Sequence, residues 1–113
     1  MAYPAGIRNV PQTERGIQRL INDDPLVIFG MSFCEWCDKT AKLLKPWLPT
    51  KINIDLQSLK KMMKTRKALK KVSRMNTFPQ VFLKGKLIGG YENTVKAMKR
   101  KGTMKKLNSI RGY

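Results

Sequence analysis

Cys34 and Cys37 are the only cysteines in a chain of 113 residues that contains no histidine. Two thiols cannot fill a self-contained four-ligand zinc site. A CxxC at a strand–helix junction points instead to thiol–disulfide exchange. On a helix, residues i and i+3 share a face about 5–6 Å apart, close to the Cα separation that a disulfide spans. The segment Cys34-Glu35-Trp36-Cys37 follows a short apolar run, Leu26-Val27-Ile28-Phe29, and precedes a helical pattern. Such a junction puts Cys34 at the positive end of the helix, where a thiolate is favoured. Glu35 and Asp38 bring negative charge that raises a thiol pKa, whereas the helix end and a basic C-terminal half oppose it. The pair reads as redox-active, not as a structural staple.

Elements around the pair must hold it in place. Residues 1–11, with Pro4, Gly6 and Pro11, read as an extended N-terminal arm, and 12–113 as one domain. Ile17, Leu20 and Ile21 recur at helical spacing, which predicts a helix over 12–22 that Pro25 stops. An unbroken apolar strand over 26–31 predicts burial on both faces. A helix over 38–48 turns Cys37, Ala41, Leu44 and Leu48 inward, and Pro46 ends or kinks it near Leu44. Trp47 reads as core. Ile52 and Ile54 alternate with polar neighbours in a second strand over 51–55.

A long helix over 56–75 carries Leu59, Met62, Met63, Leu69, Val72 and Met75 as its apolar stripe, with lysines on the other faces. Segments 80–83 and 86–88 form a hairpin through Lys84-Gly85. Gly89-Gly90 ends the sheet, a helix over 92–101 follows, and Gly102 breaks it before a last basic turn or two. A helix between the first two strands implies a parallel pair, and the hairpin adds antiparallel strands. The expectation is an α/β fold: a four-stranded mixed sheet flanked by helices in three layers.

Charge is as uneven as the thiols are few. Residues 1–59 hold 7 Lys/Arg and 6 Asp/Glu, whereas residues 60–113 hold 17 Lys/Arg against Glu92 alone. That field attracts polyanions through the Lys/Arg of 60–74 and 96–111. The other reading is a solvated helix face. No apolar run approaches the roughly 18 residues of a membrane span, so no membrane partner is expected. The first ten residues lack a signal-peptide core. Two cysteines in a lysine-rich chain point to a reducing, cytoplasmic compartment.

With CEWC at 34–37, TFPQVF at 77–82 and GGYEN at 89–93, in this order, the chain resembles the glutaredoxins from about residue 12 to 107. The resemblance implies a thioredoxin-like fold and glutathione as reductant. It makes Cys34 the nucleophile and Cys37 the resolving thiol. It also implies a cis peptide before Pro79, with the Phe78 backbone pairing with a bound peptide. Gly89 and Gly90 would let backbone pass close to the ligand. The helix starting at Tyr91-Glu92 would hold a glutathione carboxylate on its N–H groups, and Glu92 would meet the γ-glutamyl end.

Other positions keep two readings. Trp36 shields the sulfurs or touches a client, or packs the loop. Tyr91 flanks glutathione or packs on the hairpin. Thr77 hydrogen-bonds near the site or serves an ordinary turn. Departures from the family pattern are Glu35-Trp36 in place of Pro-Tyr, no lysine just upstream of Cys34, Phe78 for valine, Arg74 for a helix-ending glycine, and Glu92-Asn93 for two aspartates.

The function expected is glutathione-dependent thiol–disulfide oxidoreduction on protein disulfides or glutathionylated clients. The alternative is a basic binding or assembly protein of the same fold, docking on nucleic acid, a ribonucleoprotein or a virion. A third reading has Cys34 and glutathione hold an iron–sulfur cluster shared between two subunits.

Overall fold

A computed structural model describes residues 9–111, with side chains through residue 110. Most of the expected N-terminal arm, residues 1–8, therefore lies outside the described residues. The elements run α1 (Glu14–Asp23), β1 (Leu26–Gly30), α2 (Glu35–Leu44), a 3₁₀ turn (Lys45–Trp47), β2 (Thr50–Asn53), α3 (Leu59–Ser73), β3 (Gln80–Leu83), β4 (Lys86–Gly89), α4 (Tyr91–Met98) and α5 (Lys101–Arg111). Short polar side chains begin two of the helices: Thr13 Oγ1 accepts from Gly16 N at 3.0 Å, and Ser58 Oγ accepts from Lys61 N at 3.3 Å. Each satisfies a first-turn N–H that has no partner inside the helix.

The sheet order is β2-β1-β3-β4, with β1 parallel to β2, and antiparallel pairs β1–β3 and β3–β4. Strand alternation divides the core between two faces. Val27, Phe29, Ile52 and Phe82 pack with Ile17, Leu20 and Ile21 of α1 and Ala68 and Leu69 of α3. Leu26, Ile28, Val81 and Leu83 pack with Leu44 of α2, Trp47 and Leu107 of α5. Central β1 is buried at every position, as its unbroken apolar run predicts. Phe29 and Phe82 meet edge to face, with ring centroids 5.8 Å apart. In the hairpin, Lys84 and Gly85 both take positive φ (50° and 80°), the pairing that a right-twisted two-residue turn requires.

Four expectations need correction. Helix α3 spans Leu59–Ser73, shorter than 56–75, and Met75 lies beyond it. Its inner face is Thr65, Ala68, Leu69 and Ser73, flanked by Met62 and Val72. Leu59 and Met63 are instead 69% and 60% exposed. Met63 stands one position, about 100°, off the stripe, while small side chains at 65, 68 and 73 fit the packed face. Leu48 also points outward: it closes the 3₁₀ turn in a left-handed conformation and is exposed. Lastly, the break between α4 and α5 falls at Lys99-Arg100, where N–H groups bond back three residues to Lys96 and Ala97. Gly102 lies inside the first turn of α5.

Candidate active site

Cys34 caps α2. Its Sγ accepts the Cys37 N–H at 3.2 Å, the position a serine or aspartate oxygen takes at other helix starts. Cys34 is half-buried and Cys37 fully buried. The two form a disulfide with Cα atoms 5.2 Å apart. Only the first sulfur is therefore offered outward. Cys37 has room because residue 30, at the end of β1, is glycine: a Cβ there would lie 3.2 Å from Cys37 Sγ and 3.3 Å from both Cys37 Cβ and Asn53 Oδ1. Asn53 Oδ1 is buried and has no hydrogen-bond partner.

The loop before Cys34 is pinned by Asp55, whose Oδ1 accepts Ser32 N at 2.9 Å. Phe33, next to Cys34, is fully exposed with φ 57°. Both nearby carboxylates have cations of their own: Glu35 lies 3.4 Å from Lys39 Nζ, and Asp38 3.0 Å from Lys51 Nζ. These partly exposed contacts offset some of the negative charge that the sequence brings close to Cys34.

Beside this cap lies a groove of about 270 Å³ lined by Trp36, Thr77, Phe78, Pro79, Gly90, Tyr91, Glu92 and Asn93. The first seven are the positions named from sequence, and the fold brings them to one wall. Asn93 was not among them; it packs over Gly89, whose φ of 127° and close Asn93 Nδ2 leave no place for a Cβ. Trp36 and Tyr91 face each other at 5.2 Å between ring centroids, and Lys39 Nζ sits 4.5 Å from the Trp36 ring. The Phe78–Pro79 peptide is cis.

Gln80, buried just after it, donates to Met75 O and Thr77 O at 3.2 and 3.1 Å and so shapes the loop. Arg66 of α3 donates to Asn76 O at 3.2 Å and lies 5.6 Å from the Phe78 ring centroid. No pattern in the sequence marks Arg66, which is one cation among many on α3. Helix α4 starts at the groove from Gly90, which gives no side-chain cap, so its first N–H groups face outward unsatisfied by the helix.

A capping outer sulfur joined to a buried inner one, with Trp36 between them lining a groove, has the arrangement of a thiol–disulfide oxidoreductase. Known proteins agree. The family model described as Glutaredoxin matches residues 26–88. Glutaredoxin-1 of Rhizophagus irregularis is 28% identical over 96 residues, covering 85% of this chain and 94% of that protein. Glutaredoxin-C4 of Arabidopsis thaliana is 28% identical over 96 residues, covering 85% and 70%. Among solved structures, a buckwheat glutaredoxin–glutathione complex superposes with a TM-score of 0.76 at 26% identity, over 86% of this chain and 88% of that one. The chain belongs to the glutaredoxin family, with its thioredoxin-like fold.

Proposed function

We propose that the protein is a glutathione-dependent oxidoreductase acting on protein disulfides and glutathionylated proteins in a reducing compartment. The observation that carries this reading is the uncapped start of α4 on the groove beside Cys34. Glutathione has carboxylates for those N–H groups and a γ-glutamyl amine for Glu92. Its short peptide backbone suits the main chain of Phe78, and the Trp36–Tyr91 pair forms an apolar wall. That the related buckwheat structure is a glutathione complex supports the same reading.

The Cys34 thiolate attacks the glutathione sulfur of a mixed disulfide. The Cys34–glutathione bond forms, the client bond breaks, and the client leaves as a thiolate. A second glutathione thiolate then attacks that bond, releasing oxidised glutathione and restoring Cys34. With a protein disulfide, Cys37 instead attacks the Cys34–client bond, leaves the enzyme disulfide and frees the reduced client. Two glutathiones then reduce the enzyme. The described contacts begin near the proposed domain start at residue 12: Val10 packs on the core, and Pro11 O accepts from Thr65 Oγ1 at 2.8 Å.

A glutathione-reductase-coupled assay on wild type, Cys34→Ser and Cys37→Ser tests the proposal. Cys34→Ser must lose turnover with a glutathionylated substrate; wild-type rate in that variant refutes the mechanism. Turnover kept by Cys37→Ser identifies the two-glutathione route as sufficient.

A second reading accompanies the first: the basic half docks the enzyme on a polyanion. It is favoured by lysines along α3 and α5 that outnumber every available carboxylate, since Glu92 is the one acid after residue 59.

A further inference from the structure

Two surface clefts of this molecule differ in one respect that matters. The cleft beside α1 and α3 is lined by Arg15, Arg19 and Lys71, but also by Glu14 and Asp23, and Lys71 Nζ lies 3.7 Å from Glu14. Its charge is balanced from within. The other, of about 420 Å³, lies between edge strand β4 and the α4–α5 pair. Lys86, Lys96, Arg100 and Lys106 converge on it, and no carboxylate lines it. All four are exposed, and none has an ion pair among the described residues. Four cations around one depression repel each other, and a bound anion relieves that repulsion.

We infer that this cleft seats the phosphate backbone of duplex nucleic acid, an assignment that rests on the polyanion reading and gives it a place. The cations do not stop at the cleft: six of the eleven residues 96–106 are Lys or Arg, a charged track suited to a regularly charged linear partner. No aromatic side chain lines the cleft, so there is nothing on which single-stranded bases could stack. A duplex keeps its base faces stacked inside and presents a regular line of phosphates, which lysines and an arginine can hold without reading sequence. The track is also separate from the α3 lysines, because α3 packs on the opposite face of the sheet from α5. Asn93 lines both this cleft and the redox groove, so a duplex held here brings proteins bound along it toward Cys34.

The test is a salt titration of binding to a short duplex DNA, followed by fluorescence anisotropy. With four phosphate contacts, the log–log slope of affinity against salt is expected to reach at least about −3.6. Lys96→Ala with Arg100→Ala should make it shallower by about 1.8, while Lys60→Ala with Lys64→Ala on α3 should leave it unchanged. Unaltered turnover of the glutathionylated substrate in both variants shows that they fold and keeps the redox reading separate.

A wild-type slope near zero overturns the cleft and the docking reading together. A steep slope that responds only to the α3 substitutions overturns the cleft and leaves docking intact. Tighter binding of a single strand, or equal displacement of duplex by poly-glutamate, overturns the duplex assignment.

Discussion

Replacing Gly30 by alanine tests whether the inner sulfur sits where it does because one Cβ is missing. The new methyl would meet Cys37 Sγ at 3.2 Å, and Cys37 Cβ and Asn53 Oδ1 at 3.3 Å. Each distance is a few tenths of an ångström inside ordinary contact, and Cys37 is fully buried, so something packed must move. Overpacking of this kind costs about 1–3 kcal/mol, from which about 0.4–1 kcal/mol is recovered by restricting the unfolded chain. A net loss of about 1–2 kcal/mol lowers Tm by about 4–8 °C in a domain of this size.

The loss should be larger in the oxidised protein. There the sulfur is tied to Cys34 and cannot rotate away, whereas the free thiol can. Thermal melts of oxidised and reduced Gly30→Ala, repeated on Cys37→Ser, measure this directly. In the serine background, the smaller oxygen should recover part of the loss. An equal fall in Tm with sulfur or oxygen at 37 refutes the argument, because the clash would then lie elsewhere.

Asn53→Leu should act in the opposite direction on the redox balance. It removes a buried acceptor that has no hydrogen-bond partner and that lies, like Cys37 Sγ, against Gly30; the expected shift follows from the reduced Cys37 thiol donating to it. Loss of one such bond, about 0.5–1.5 kcal/mol, makes the enzyme disulfide harder to reduce by about 10–30 mV, measurable by equilibration with glutathione buffers. Trp36→Ala and Tyr91→Ala should each raise KM for a glutathionylated peptide about two- to ten-fold with kcat largely kept; a fall in kcat alone would contradict their place on the groove wall. Arg74 holds φ 62° at the end of α3, where a side chain costs roughly 1 kcal/mol that glycine avoids. Arg74→Gly should therefore raise Tm by about 4 °C, and a lower Tm would show that the side chain has a compensating contact.

Much of the architecture could be read in the chain because its signals are local. The apolar run of β1, the paired turn residues at Lys84-Gly85 and Pro46 beyond the end of α2 each act within a few positions. The groove residues could be named because CEWC, TFPQVF and GGYEN are contiguous segments at strand and helix ends. What eluded sequence depends on a partner far along the chain. Gly30 matters only beside Cys37 and Asn53, and Asp55 only beside Ser32. Burial of Thr65, Ala68 and Ser73 on α3 reflects close packing, while hydropathy alone would choose Leu59 and Met63. The position at which α4 yields to α5 is set by two three-residue hydrogen bonds, not by the nearby glycine.

The order β2-β1-β3-β4 leaves two outer strands, neither with a further strand beside it among the described residues. Lys51 sits on one, while Lys86 on the other follows Lys84 in the adjoining turn. A lysine on an unpaired border discourages another chain from adding a strand. These ammonium groups thus also oppose edge-to-edge aggregation, and removing Lys86 would leave a border that still presents the partly exposed Leu87.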